Sequence, residues 1–301
     1  MALPEALQTT FSPLSLEAAW TSQLSWLLIG CATLLFVVVM ALAFTALRAR
    51  PRWLAGERAV VAGGIVVPVV LLTILLIYAT RQGAILARDD APALRVEVTG
   101  HQWWWRVRYL DAGGAPDFET ANEIRLPVGQ KVELALRSAD VLHSFWVPNL
   151  AGKLDMIPGR TNRLSFTPQV AATARGQCAE YCGGPHAQMA LYVVTVPNET
   201  FDRWRESQRA PASRADATFE ARCATCHAIR GSRALGTSGP DLTHVGSRLS
   251  IGAGTLPADA GGLARWIASS QHIKPGNLMP AFTEFSAEEL SALSTYLASL
   301  Q

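Results

Sequence analysis

The sequence predicts a multidomain membrane protein with an N-terminal transmembrane α-hairpin, a β-rich domain and a small all-α domain. Two long uncharged segments near the N-terminus predict the hairpin, and alternating apolar and polar residues in the middle of the chain predict the strands. Half of the 301 residues are hydrophobic, more than a soluble protein of this size needs. The formal net charge of only +2 gives no indication of nucleic-acid binding.

The predicted membrane anchor covers residues 1–93. Residues 25–47 and 59–79 contain no charged side chain. Each segment has about 20 residues, enough to cross roughly 30 Å of hydrocarbon as a helix, and this length favours a membrane span over a hairpin buried in a soluble core. Because positive side chains stay in the cytoplasm, both termini are expected on the outer side of the membrane. The arginines that predict this orientation are Arg48, Arg50, Arg52 and Arg58.

The predicted β-rich domain covers residues 94–205. Apolar and polar residues alternate at 94–98 and at 103–109, the pattern of half-buried strands. Many short strands separated by Pro and Gly imply a small sandwich or barrel. Further strands are predicted at residues 122–126, 131–137, 163–166 and 190–196.

Four potential metal ligands lie close together just before the last of these strands: Cys178, Cys182, His186 and Met189. Soft sulfur ligands combined with imidazole suit copper, and two cysteines four residues apart can each offer a thiolate to two metal ions. Without Met189, the same loop is equally compatible with a disulfide or a zinc site. Zinc does not favour a thioether, and His143, in a predicted loop, can complete a copper site because loops distant in sequence can meet at one end of a barrel.

Cys223, Cys226 and His227 form the pattern of covalent c-type haem attachment. We expect one helix face to present both thiols to the haem, with His227 reaching the iron. Met279 is the only methionine after this motif, so it is the predicted sixth ligand, and a Met/His pair suits an electron carrier. A zinc or redox Cys-x-x-Cys site is the alternative.

The C-terminal domain is predicted at residues 215–301, after a polar linker at 206–214. Helices are predicted around residues 263–267 and 288–300. The acidic and basic side chains of this domain nearly balance, so long-range electrostatic steering of a partner is not expected. A tethered cytochrome has no need of steering, because the linker sets a high effective concentration.

Four segments of the chain occur in the order seen in cytochrome c oxidase subunit II, which the chain resembles over about residues 20–205. This resemblance implies a cupredoxin-like Greek-key barrel that holds a dinuclear copper centre, CuA. The C-terminal domain resembles class I cytochrome c, in which the proline carbonyl of a loop matching residues 239–242 orients the proximal histidine. The four segments are residues 100–105, 143–148, 155–160 and 178–189.

By resemblance, both copper ions share two bridging thiolates, and each copper has two further ligands. The bridging thiolates are Cys178 and Cys182; one copper adds His143 and Met189, and the other adds His186 and the backbone carbonyl of Glu180.

Three further expectations follow from the same resemblance. The carboxylate of Glu180 matches a ligand to a magnesium ion at the interface with the catalytic subunit. Trp103 matches the point of electron entry near the copper. The family usually has a glutamate at the mouth of a proton path where this chain has Val61, and the nearest acid, Glu57, lies one helical turn earlier.

The resemblance implies the electron-entry subunit of a haem–copper terminal oxidase in a bacterial inner membrane, with both redox domains on the periplasmic side. Electrons from a periplasmic donor would pass from haem c to CuA and on to the catalytic subunit, where oxygen is reduced and protons are pumped. Two alternatives remain at this point. One is the CuA-containing subunit of a nitric oxide reductase, and the other is a membrane-bound electron-transfer module without an oxidase partner.

Overall fold

The computed structural model describes residues 3–49, 56–86, 91–212 and 216–301. The chain divides into two compact units, and one of them consists of residues Ala19–Ala91. The other unit combines the N-terminal segment Met1–Ala18 with Pro92–Gln301, so it contains both predicted redox domains.

The first unit contains the two predicted membrane spans as longer helices. Helix α1 covers Leu16–Ala49 and begins within the other unit. Among the described residues, two helical stretches are long and apolar enough to cross a membrane, and neither is buried by the rest of the chain. They confirm the predicted α-hairpin as a pair of exposed apolar helices. Arg50 and Arg52 lie outside the described residues.

The second membrane helix has three parts: α2 (Glu57–Val61), a π-helical turn (Ala62–Val66) and α3 (Val67–Leu86). The widened turn directly precedes Val67 and Pro68. Proline has no backbone N–H and its ring crowds the preceding turn of a helix. A local π-turn accommodates this interruption while the helix continues.

The described strands of the second unit form two five-stranded sheets, as expected for the predicted β-rich domain. One sheet has the order β3-β2-β1-β5-β8, and the other has the order β4-β10-β9-β6-β7. Two strand pairs are parallel, β1 with β5 and β10 with β4. The strands are β1 (Leu94–His101), β2 (Trp104–Leu110), β3 (Pro116–Ala121), β4 (Glu123–Pro127), β5 (Val132–Ser138), β6 (His143–Trp146), β7 (Leu154–Met156), β8 (Asn162–Phe166), β9 (Ala172–Cys178) and β10 (Ala190–Val196).

The core lies between the sheets and follows the alternation that the sequence shows. Val96 and Val98 of β1 are fully buried, as are Trp105, Val107 and Tyr109 of β2. Every second residue of a strand points to the same face, so this alternation places the large apolar side chains in one layer. Full burial of such side chains stabilises the fold by about 1.5–3 kcal/mol each.

The chain after the sandwich forms four described helices, which include the two predicted ones. Helix α4 continues to Arg209, so it occupies part of the span predicted as a linker; residues 213–215 lie outside the described residues. Arg205 and Arg209 of α4 both bind the carboxylate of Asp117 on β3, at 2.9 and 2.8 Å. The helices are α4 (Asn198–Arg209), α5 (Ala217–Arg222), α6 (Ala260–Ile273) and α7 (Ala287–Ala298).

The sandwich and the C-terminal helical domain contact each other within this unit. The guanidinium of Arg106, on β2, donates a hydrogen bond of 2.6 Å to the backbone carbonyl of Thr237. The carboxylate of Glu123, on β4, accepts one of 2.7 Å from the backbone N–H of Leu249. Arg106 and Glu123 are both largely buried, so the two domains share a desolvated polar interface.

Candidate copper centre and haem pocket

The predicted copper ligands converge at one end of the sandwich. The Sγ atoms of Cys178 and Cys182 lie 3.8 Å apart, and both thiols are free. Each thiol has one imidazole beside it: Nδ1 of His143 is 3.7 Å from Sγ of Cys178, and Nδ1 of His186 is 3.5 Å from Sγ of Cys182. Two sulfurs flanked by two nitrogens of this kind suit a thiolate-bridged pair of soft metal ions.

Two weaker donors complete the cluster. Sδ of Met189 lies 3.8 Å from Sγ of Cys182, and the backbone carbonyl of Glu180 lies 3.2 Å from Sγ of Cys178. Met189 and both cysteines are buried, so a bound ion would be shielded from water. The structure therefore brings all six predicted ligand atoms into one group.

Local backbone structure explains how these side chains meet. Cys178 ends β9 and pairs with Phe145 of β6, two residues after His143. A short 3₁₀ turn, Gly184–Gln188, then presents His186, and Met189 follows immediately before β10. The sequence analysis placed His143 in a loop, and this was wrong: it is the first residue of β6, because pairing with Met156 extends the strand to it.

Two glycines leave room for the site. A Cβ atom at Gly100 would lie 2.8 Å from Cδ2 of His143, so only glycine lets that ring take its place. Gly183 has a φ of +116° and a Cβ there would lie 2.9 Å from Cζ2 of Trp103. At both positions the backbone lies so close to a neighbouring ring that a residue larger than glycine would disrupt the strand or turn.

Asp140 fixes the orientation of His143 and was missed by the sequence analysis. Its Oδ1 lies 2.8 Å from Nε2 of His143, so the imidazole N–H can point to the carboxylate and leave Nδ1 free for a metal. Burial disfavours the ionised carboxylate, but hydrogen bonds from His143 and from the backbone N–H groups of Gln102 and Val141 hold the pKa of Asp140 below its usual value. An acid three residues before a candidate ligand was the available signal.

The two thiols titrate as a pair. The hydrogen bond from Cys182 lowers the pKa of Cys178 to about 3, and the same contact raises the pKa of Cys182 above its usual value. The two shifts favour loss of the first proton from Cys178, because the thiol of Cys182 can donate a hydrogen bond to its sulfur.

Trp103 and Glu180 occupy different surroundings. Nε1 of Trp103 donates a hydrogen bond of 2.9 Å to the carbonyl of Cys182, which places the indole directly beside the copper loop. The Glu180 carboxylate belongs to no cluster of potential metal ligands. Within the described ranges, the one cluster of three or more such groups consists of His143, Cys178 and Cys182. The structure does not support the magnesium site expected at Glu180.

The proximal side of the haem pocket is built around His227. Nδ1 of its half-buried ring lies 2.8 Å from the carbonyl of Pro240, the proline that the class I cytochrome c resemblance gives this role. Burial lowers the pKa of His227, so the ring is held neutral with Nε2 available to a metal. A Cβ at Gly239 would lie 2.5 Å from Cε1 of the ring, so the loop can approach only through a glycine.

The two cysteines of the haem motif do not share a helix face, contrary to the sequence expectation. Helix α5 ends at Arg222, and the backbone N–H groups of Cys226 and His227 both bind the carbonyl of Cys223 in a tight turn. Cys223 lines an apolar cavity together with His227, whereas Cys226 is exposed. The chain turns here because His227 directly follows Cys226 in the sequence and has to reach the cavity.

Met279 lines the same cavity as His227. Its Sδ accepts a hydrogen bond of 3.1 Å from Nε1 of Trp266. Most other residues around the cavity are apolar, and the wall includes Phe219, Leu242, Val245, Leu263, Ile267, Phe282 and Leu297.

Two polar residues of the cavity wall were not predicted. Arg248 is half-buried: its Nη2 donates a hydrogen bond to the backbone carbonyl of Asp241, whereas its buried Nε has no hydrogen-bond partner among the residues that the structure describes. An unpaired guanidinium N–H beside an apolar cavity fits a ligand with carboxylates, such as haem. The second residue, Asn122, belongs to the sandwich: its side-chain and backbone groups bind Trp105, and it also lines the haem cavity.

These features define a class: a membrane-anchored electron-transfer protein with a cupredoxin-type copper site and a c-type haem pocket. The profile of cytochrome c oxidase subunit II, periplasmic domain, matches residues 94–196, and that of cytochrome c matches residues 212–301. With the relatives described next, this shows that the chain belongs to the cytochrome c oxidase subunit 2 family. Membership implies CuA copper in the first domain and haem in the second, and the donor sets described above fit both.

Similar proteins cover most of the chain. Cytochrome c oxidase subunit 2 of Alkalihalophilus pseudofirmus is 34% identical over 99% of this chain and 92% of its own length. That of Bacillus sp. PS3 is 31% identical over 78% of this chain and 72% of its own. Among solved structures, the periplasmic domain of subunit II of cytochrome oxidase from Bradyrhizobium japonicum is 31% identical, with a TM-score of 0.38, over 40% of this chain and 97% of that domain.

Proposed function

We propose that this chain is the electron-entry subunit of its oxidase, passing electrons from haem c to CuA and on to the oxygen-reducing catalytic subunit. The observation that carries this proposal is the convergence of six donor atoms from residues 143–189 at contact distances of 3.2–3.8 Å. When bound, haem c and CuA would each accept and release one electron. Only a soft, redox-active metal makes full use of two thiolates, two imidazoles and a thioether.

The residues of this chain would hold these groups and keep their geometry constant. Cys178 and Cys182 would bridge the copper ions, His143 would keep the orientation set by Asp140, and Met189 would be supplied from the buried end of the loop. A rigid sandwich behind the loop limits movement between oxidation states, which favours rapid electron transfer. Trp103 would lie on the electron path, since its indole binds the carbonyl of a bridging cysteine.

At the haem, Cys223 and Cys226 would form the thioether bonds. His227 would bind the iron on one side, held by the carbonyl of Pro240. Met279 would bind on the other side, and Arg248 would hold a haem carboxylate. A Met/His pair would raise the reduction potential of the haem, as is usual in cytochromes that carry electrons.

The proposal also places both redox domains on the periplasmic side of a bacterial inner membrane, where a periplasmic donor reaches the haem. The chain would bind the catalytic subunit through its membrane helices. With Val61 where a glutamate is usual in the family, Glu57 is the acid that would serve proton entry.

Gas consumption by the complex purified through a tag on this chain tests the proposal. We expect oxygen uptake with an artificial reductant, and its complete loss with cyanide. Nitric oxide consumption without oxygen uptake would instead identify a nitric oxide reductase. If no haem-containing membrane subunit co-purifies with this chain, the chain is an electron carrier without an oxidase partner.

A further inference from the structure

Lys274 is a buried lysine between helix α6 and the haem ligand Met279. Its side chain is only 2% exposed, which is rare for lysine. Nζ donates hydrogen bonds to three backbone carbonyls: Trp103 at 2.6 Å, Gln188 at 2.8 Å and Gly252 at 3.0 Å. Burial lowers the pKa of Lys274 to about 7, while three carbonyl acceptors favour the ammonium form.

These three acceptors belong to different domains. Trp103 and Gln188 are part of the sandwich, and Gln188 directly precedes the copper ligand Met189. Gly252 belongs to the helical domain and lines the haem cavity. One ammonium group therefore joins the copper loop, the turn between β1 and β2 that carries Trp103, and the wall of the haem pocket.

Neighbouring contacts reinforce this junction. The side-chain amide of Gln188 donates a hydrogen bond of 3.1 Å to the carbonyl of Ile273, the last residue of α6. A Cβ at Gly276 would lie 3.7 Å from Cη2 of Trp103, so the backbone there is in van der Waals range of the indole. The haem-domain segment 273–276 thus packs against the same tryptophan that binds the carbonyl of Cys182.

The junction is connected rigidly to Met279 by Asn277. The side-chain amide of Asn277 donates to the carbonyl of Lys274 at 2.8 Å, and its oxygen accepts from the backbone N–H of Met279 at 2.9 Å. The carbonyl of Met279 is held in turn by Ser270 at 2.9 Å. A displacement of Lys274 would therefore move the haem ligand.

We propose that Lys274 is a positioning residue that locks the Met279 segment of the haem domain onto Trp103 and the copper loop. The haem domain is then a docked part of the electron-transfer unit and not a cytochrome moving freely on a linker. This inference rests on the proposed transfer from haem c to CuA. Electron transfer needs a fixed distance between haem c and the copper site, and the Lys274 side chain would maintain this distance.

Lysine suits this position better than other residues. Its ammonium group has three donors, and each finds a carbonyl. Arginine keeps the charge, but its planar fork does not match three converging carbonyls. Methionine has a similar shape and would leave the three carbonyls without their donor in a buried site, which disfavours the docked arrangement.

The test uses the whole oxidase complex carrying Lys274→Met, with Arg265→Met as the matched control. Arg265 is exposed on α6, so its replacement removes the same charge from the same domain away from the junction. Haem and copper contents are measured first, by absorbance and by electron paramagnetic resonance. The rate of electron transfer from photoreduced haem c to CuA is then measured by flash spectroscopy.

We expect Lys274→Met to retain both cofactors and to slow this transfer by roughly 10- to 100-fold, because misplacement of reacting groups by about 1 Å can cost about 100-fold. The control should match the wild type. Oxygen uptake with a small reductant that reduces CuA directly should be unchanged. If both cofactors are retained and both activities fall together, Lys274 has a purely structural role and the proposal is overturned.

Further variants separate the remaining outcomes. Lys274→Arg should also be slow, and recovery of the wild-type rate would show that charge alone matters. If Lys274→Met fails to load cofactors, Gln188→Ala, which loses only the bond to Ile273, should slow transfer by a smaller factor; an unchanged rate would refute the docking role. Absence of haem-to-copper transfer in the wild type would refute the proposed function itself.

Discussion

At the copper site the donor atoms already touch one another, with separations of 3.2–3.8 Å, whereas at the haem site His227 and Met279 line a cavity and Cys226 is exposed. The copper site is small enough for the chain alone to close it. The haem pocket has to leave space for a large prosthetic group and to keep two thiols accessible for covalent bonds. The comparison suggests that copper loading depends on local chemistry, while haem loading depends on the packing of a whole domain.

Loss of one bridging thiol should have the largest effect, and it should affect the copper site without affecting the haem site. Cys182→Ser should abolish copper binding, because a hydroxyl is a poor ligand for soft copper and no bridge remains. Haem content should be unchanged, since the haem cavity is lined by other residues. Metal analysis and haem absorbance on the same preparation provide the measurement, with exposed Cys31→Ser as the control. Stoichiometric copper in Cys182→Ser would contradict the assigned site.

Met279→Ala should have the opposite pattern, changing the haem site and leaving the copper site unchanged. The haem should stay attached through its cysteines, its visible spectrum should change, and its potential should fall by tenths of a volt, within the range of about 0.8 V that axial ligands set. Leu278→Ala, at a neighbouring residue that is 89% exposed, is the control. Redox titration of both variants measures the shift. An unchanged spectrum would mean that another residue binds the iron.

Asp140→Ala should weaken the copper site without removing it. Loss of the carboxylate frees the ring of His143 to rotate, and groups that orient a metal ligand typically contribute roughly 10- to 100-fold in affinity. Competition with a copper(I) chelator measures the change. Asp155→Ala, an exposed acid on the adjacent strand β7, should bind copper like the wild type. Equal affinities of Asp140→Ala and wild type would show that the contact to Asp140 is incidental.

The smallest predicted effect is a pH dependence confined to copper. The pKa of Cys178 is lowered to about 3, so this thiol contributes no proton between pH 6 and 8. The pKa of Cys182 is raised by its contact with Cys178, so its thiol keeps a proton that copper must displace. Affinity should therefore rise with pH, by about tenfold per unit for one released proton. The same chelator competition at three pH values measures the slope, and a flat profile would contradict the paired titration.

Most of the fold and the ligand set could be predicted because their signals are local. The spacing from Cys178 to Met189, the cysteine pair before His227 and the two uncharged segments each lie within a short stretch of sequence. Strand β9, with the sequence ATARGQC, was missed because the residues that alternate with its polar side chains are small and include no large apolar side chain. It is held as a strand by pairing with β10 and β6, which only the tertiary structure supplies.

Two other residues that could not be predicted from the sequence act across long separations. Arg248 shares its cavity with Cys223 and Met279, and Lys274 binds Trp103, 171 positions earlier in the chain. Nothing in the local sequence distinguishes either residue from an exposed basic side chain. The error over Cys223 and Cys226 has a different cause, since their spacing permits either a helix or a turn and the adjacent His227 decides between them.

The contribution of Asn122 to the haem cavity bears on modularity and on how such fusions can be engineered. Two domains that match separate sequence families are joined here by a short connection, yet one side of the haem crevice is completed by a residue from the copper domain. Transplanting residues 215–301 onto another anchor would remove that wall and admit water beside the haem. Because solvent exposure is one of the levers that set a haem potential, the transplanted domain would be a different electron carrier.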